Sequence, residues 1–203
     1  MRILISSLIA FACIACASYP KKNGFEAVEN IAIKVLNPYF SDRAKDYVYK
    51  AKVEAFDKTF GGLLILKKLG INHHRIVFTT EMGNTLFDFS FQNGGFRVNR
   101  IVKEMDRKIL ISILKKDFAA LIVEQPPVLQ TFIDNDNRVY ATDILSKKHY
   151  FYRSEGQLDK IVRVKNAKEK VVFLFSETEV HRAGKIEILH SGFPLAITLI
   201  GIY

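Results

Sequence analysis

The chain has 203 residues, 49% of them hydrophobic and 25% charged, with a formal net charge of +9. That length and apolar content suit a single domain able to bury its own core. Both cysteines, Cys13 and Cys16, fall among the first sixteen residues, so everything after them is free of disulfide and thiol chemistry and must be held by packing.

The leader carries one cation, Arg2, followed by an uncharged apolar run that ends Ala12-Cys13-Ile14-Ala15-Cys16. The run is shorter than the roughly 20 residues of a spanning helix and closes on small residues, which is the form of an export signal. Its end resembles a bacterial lipoprotein signal, in which a small residue precedes a cysteine that is acylated and becomes the new N-terminus. Ala15 before Cys16 fits and allows the longer apolar run; Ala12 before Cys13 is the alternative. The Cys-x-x-Cys spacing would also suit redox or zinc chemistry, but that needs cations or a helix N-terminus to lower the thiol pKa, and this leader offers neither. The expected organisation is a signal peptide over residues 1–15, a lipid-anchored tether and N-terminal segment over 16–46, and the main domain over 47–203. Cleavage removes Arg2 and leaves +8, with Lys and Arg scattered among Asp and Glu. Export leaves no place for nucleic acid; anionic headgroups or envelope polyanions suit such a field, as does simple solubility.

Within the N-terminal segment, Pro20-Lys21-Lys22-Asn23-Gly24 reads as tether and residues 25–36 as a weakly helical or extended segment before Asn37-Pro38. From Tyr47 the pattern becomes short segments of period two or of continuous apolar character, each closed by a turn signal, which predicts consecutive antiparallel strands. Five precede the middle, at 47–57, 60–68, 74–81, 85–92 and 95–103. Asn93-Gly94 is the clearest turn, because Asn-Gly tolerates the positive φ angles of a type I′ hairpin. Ile109, Leu110, Ile113, Leu114, Phe118, Leu121 and Ile122 then recur at helical steps and predict an amphipathic helix over 106–124, with Asp106 as N-cap and Gln125-Pro126-Pro127 as its stop. Six more strands follow at 138–142, 149–153, 158–165, 170–176, 185–190 and 195–202. About eleven strands exceed what an open flat sheet usually carries, so a mainly β fold with a curled antiparallel sheet and one central helix is expected.

Phe87, Phe89 and Phe91 share one strand face, whereas segment 60–66 and the strand through Phe173 and Phe175 are apolar on both faces and need covering twice. One helix of about eighteen residues, roughly 27 Å long, covers only part of such a sheet. Either side chains fill the hollow or a greasy pocket remains. The expected lining of that pocket is the Phe87, Phe89 and Phe91 face together with Leu64, Leu66, Phe173, Phe175, Ile197 and Leu199.

This architecture resembles the LolA and LolB lipoprotein-carrier fold, an unclosed antiparallel half barrel capped by helices. The segments Phe60-Gly61-Gly62-Leu63-Leu64-Ile65-Leu66-Lys67, Arg75-Ile76-Val77-Phe78-Thr79-Thr80-Glu81-Met82-Gly83 and Leu86-Phe87-Asp88-Phe89 resemble uncharacterised outer-membrane lipoproteins of the Bacteroidota. The resemblance implies binding or transfer of a lipid or lipidated polypeptide by a protein anchored in the outer membrane, on its periplasmic side. It also implies an exposed apolar residue on a strand-connecting loop that contacts the membrane, for which Leu69, Ile71 and Met82 are candidates.

Enzyme signatures are poor. The histidines His73, His74, His149, His181 and His190 show no metal-binding spacing, and adjacent His73 and His74 point to opposite sides of a strand. Asp134-Asn135-Asp136-Asn137 lacks the later glycine and glutamate of a calcium loop and reads as a turn. No catalytic residue, metal or cofactor is expected. Three functions remain open: an acyl-chain carrier, a non-catalytic accessory subunit of an envelope assembly with a filled core, and a hydrolase assembled across the barrel mouth.

Overall fold

The computed structural model describes residues 18–30, 34–135, 137–179 and 182–202. Cys13, Cys16, Asp136 and His181 lie outside them. A four-residue helix α1 (Tyr19–Lys22) and a short strand β1 (Glu26–Val28) lead into five hairpin-linked strands, β2 (Asp46–Ala55), β3 (Lys58–Gly70), β4 (His73–Thr79), β5 (Thr85–Gln92) and β6 (Gly95–Ile101). Helix α2 (Lys108–Ile122) follows. The second half comprises β7 (Gln130–Asp134), β8 (Asn137–Ile144), β9 (Lys147–Ser154), β10 (Gln157–Lys165), β11 (Lys168–Glu179), β12 (Arg182–His190) and β13 (Leu195–Gly201).

All thirteen strands form one antiparallel sheet in the order β1-β7-β8-β9-β10-β11-β12-β13-β2-β3-β4-β5-β6. Two meanders, β2 to β6 and β7 to β13, are joined where β13 pairs with β2, Leu195 opposite Ala55. The sheet is not closed: β1 and β6 are its edges, and α2 carries the chain from one side of the gap to the other. This is the half barrel expected, with two strands more than the sequence predicts. Both extra strands are short, three residues in β1 and five in β7, too brief to show a period beside the neighbouring turn and proline signals.

Turn chemistry fixes much of the register. Asn93 and Gly94 adopt φ of 50° and 79°, closing β5 on β6 with Gln92 opposite Gly95, as a type I′ turn requires. The expected helix cap is corrected. Asp106 sits in the preceding turn, its N–H bonded to the Val102 and Lys103 carbonyls, and the cap position falls to Arg107, which makes no side-chain cap. Arg107 instead lays its guanidinium over the Phe56 ring, 4.7 Å from the centroid.

Alternation along each strand sends one set of side chains into the concave face, for example Tyr47, Tyr49, Ala51, Val53 and Ala55 from β2. Helix α2 lays Leu110, Leu114, Phe118 and Leu121 onto that face, Phe118 meeting Phe87 at 5.7 Å between centroids. The convex face behaves differently on the two halves. Over β8 to β10, Val139, Tyr150, Tyr152, Val162 and Val164 form a second cluster that Tyr19 covers. Tyr19 Oη lies 2.7 Å from Tyr152 Oη and donates to Glu169 at 2.6 Å. Helix α1, which overlaps the stretch read as tether, is therefore held on the sheet through Tyr19. Over β3 no second layer is present among the described residues; Val48, Ile65 and Val77 stand opposite one another across three strands, each half-buried, so cross-strand neighbours supply the cover.

Candidate functional site

Where the sheet fails to close, a cavity of about 660 Å³ remains. One wall comes from the β3–β4 and β5–β6 turns with Phe91 and Phe96, the opposite rim from Ile144 and Leu145 at the β8–β9 turn, and the floor from the C-terminal half of α2 through Ala119, Ile122 and Val123. The size is that of an ordinary ligand pocket, and an apolar wall with a few polar groups is the usual composition.

Of the nine residues expected to line a hollow, only Phe91 borders this cavity. Leu64, Leu66, Phe87, Phe89, Phe173, Phe175, Ile197 and Leu199 all belong to the buried core. Phe87 and Phe89 stack at 4.4 Å with planes 9° apart. The hollow is filled from two sides: Phe118 of α2 packs on Phe87 and Phe89, and Tyr39, from the segment before β2, packs on Phe175. The three loop candidates are separated as well. Ile71 is 82% exposed and lines the cavity mouth; Leu69, half-exposed, precedes it at the end of β3; Met82, 93% exposed, occupies the β4–β5 turn at the other end of β4.

The polar part of the rim was not readable from the sequence. Lys68 Nζ approaches Glu124 Oε1 at 2.7 Å, and His74 Nε2 donates to the Phe40 carbonyl at 3.2 Å with Glu124 Oε1 3.6 Å away. Burial holds the His74 imidazole below its ordinary pKa despite these acceptors. Lys115 reaches over the Phe96 ring, 5.5 Å from its centroid, and Lys34 stands exposed beside Pro127. Among the described residues neither Lys34 nor Lys115 has a carboxylate within ion-pair distance.

A second polar cluster lies beneath the helix. Asp117, fully buried on α2, accepts from Arg163 Nη1 and from His190 Nε2, each at 2.9 Å. His190 Nδ1 lies 3.0 Å from the Leu195 carbonyl oxygen. None of these three side chains borders the cavity; they fasten α2 to β10 and β12. His149 is buried beside them, Nδ1 bonded to the Lys147 carbonyl at 2.8 Å and Nε2 without a protein partner. Its pKa is pushed down to about 4, chiefly by burial. Among the described residues no group of three His, Cys, Asp or Glu side chains is placed to hold a metal ion.

No protein-family model and no curated protein matches this sequence. Among solved structures, the chain is similar to a LolA superfamily protein from Nitrosomonas europaea, at 8% identity and a TM-score of 0.45, covering 82% of this chain and 88% of that one. It is also similar to a domain assigned to outer-membrane lipoprotein sorting from Vibrio parahaemolyticus, at 7% identity and a TM-score of 0.39, covering 78% and 83%.

Proposed function

We propose that this protein is a lipid-anchored, non-catalytic carrier of the cell envelope that binds or transfers a lipid or acylated polypeptide in the cavity at the open seam of its half barrel. The observation that carries the reading is the cavity itself, about 660 Å³ between the two sides of an unclosed sheet, with Phe91, Phe96, Ile122 and Val123 in its walls. Burial of acyl methylenes needs no catalytic group: at roughly 0.8 kcal/mol each, ten supply about 8 kcal/mol before ordering costs. Lipidation of Cys16, or of Cys13, would tether this body to the outer membrane on its periplasmic side, and the exposed Ile71 at the cavity mouth is the apolar contact for the bilayer.

A second reading is favoured by one finding. Most of the concave face is filled by core side chains, as an accessory subunit of an envelope assembly would have it. Native mass spectrometry with organic extraction separates the two. The protein should begin at Ser18, so that Tyr19 stays on its cluster, and be purified without detergent. A bound lipid or acylated peptide at defined stoichiometry, lost when Ala119→Trp fills the cavity, establishes the carrier. A clean apo mass unchanged by added envelope lipids moves the assignment to the accessory subunit.

A further inference from the structure

We propose that the cavity selects a single-chain amphiphile with an anionic head, its chain in the seam and its head between Lys34 and Lys115. The proposal rests on the carrier reading and names the class of its ligand. Chain number follows from volume. A cavity of about 660 Å³ falls within the roughly 300–1,000 Å³ of sites that enclose one drug-sized ligand. A single acyl chain is a ligand of that size, and the three chains of a triacylated lipoprotein together exceed it.

Head charge follows from the rim. Lys68 is already neutralised by Glu124 at 2.7 Å, and burial keeps His74 from adding charge, so among the described residues of the rim Lys34 and Lys115 remain as cations with no carboxylate at ion-pair distance. Lys115 is held over Phe96, an apolar wall residue, where a charge is poorly screened and an anion bonded to it is worth more than in open water. A zwitterionic head would bring its own cation to the two lysines and be disfavoured by like-charge repulsion.

The test uses the full chain in phosphatidylcholine nanodiscs, exposed in turn to lysophosphatidylglycerol, lysophosphatidylcholine and a triacylated cysteinyl peptide. Each probe carries a photoactivatable diazirine at the end of an acyl chain, and labelled peptides are mapped by mass spectrometry. Lysophosphatidylglycerol should label segments 91–96 and 119–125 about tenfold more than lysophosphatidylcholine, and the double variant Lys34→Gln/Lys115→Gln should cut that excess about fivefold with the thermal melt unchanged. Equal labelling by the two lysolipids, an excess that survives the double variant, or stronger labelling by the triacylated peptide overturns the proposal while leaving the carrier reading in place. Labelling of these segments by none of the three overturns both.

Discussion

Asp117 Oδ2 lies 2.9 Å from His190 Nε2, while its other oxygen takes a hydrogen bond from Arg163, so a fully buried carboxylate joins the middle of α2 to partners 46 and 73 residues further along the chain. The arrangement is costly to break, because removing one partner strands the others in a low-dielectric interior. Asp117→Leu is expected to lower unfolding stability by about 3 kcal/mol in urea titrations. The double variant Asp117→Leu/Arg163→Leu should recover part of that loss, since it removes the unpaired cation as well. Equal stability of the single variant and the natural protein would mean that water reaches the cluster.

Acid should weaken the fold through His149. Its folded pKa of about 4 lies below the ordinary 6.5, so the unfolded chain binds a proton that the folded protein refuses. Stability is therefore complete above about pH 6.5 and is lost as pH falls toward 4, by about 3 kcal/mol at 1.36 kcal/mol per unit. His74, shifted in the same direction by burial, adds to the slope. Urea midpoints measured between pH 7.5 and pH 4 should fall more steeply for the natural protein than for His149→Leu, and parallel slopes would refute the assignment.

The paired glycines at the start of β3 have different roles. A Cβ at Gly62 would meet the Thr79 carbonyl oxygen at 1.8 Å, whereas one at Gly61 would meet nothing within 4 Å. Neighbouring backbone, unlike a flexible side-chain tip, cannot step aside, so Gly62→Ala must open the β3–β4 ladder near Leu63 and Thr79. We expect Gly61→Ala to melt within a degree or two of the natural protein, and Gly62→Ala to lose more than about 2 kcal/mol.

The same glycine pair shows what a sequence discloses and what it withholds. Strand existence was legible throughout β2 to β6 and β8 to β13, because period-two alternation and turn dipeptides such as Asn93-Gly94 are local signals, and the segment 85–92 is a strand with those same bounds. The helix was legible for the same reason. What failed was the third dimension. Nothing local in Phe87, Phe89 or Phe175 says that Phe118 and Tyr39 lie on top of them and leave the residual space at the seam instead. Nor does spacing bring Lys34, Lys115 and Leu145 to one rim, since they come from three separate parts of the chain. The role of Tyr19 was not legible for a related reason: its partners Tyr152 and Glu169 are more than a hundred residues away, so contacts that the local sequence cannot announce hold it on the sheet.

Leu145 is the residue at which stability and loading should part company. It holds a φ of 49° in the two-residue β8–β9 turn, a left-handed conformation that costs an L-residue roughly 1–2 kcal/mol and glycine little. It is also half-exposed at the cavity mouth, so its side chain contributes less to the folded state than a core leucine does. Replacing it with glycine should relieve the strain and raise the melting temperature by a few degrees, at about 2–4 °C per kcal/mol for a chain of this size. If the apolar rim guides an acyl chain into the seam, Leu145→Gly should lower the occupancy of co-purified lipid even as it stabilises the protein. A variant that is both more stable and fully loaded would show that Leu145 serves neither the turn nor the ligand, and would place the entrance on the Ile71 side alone.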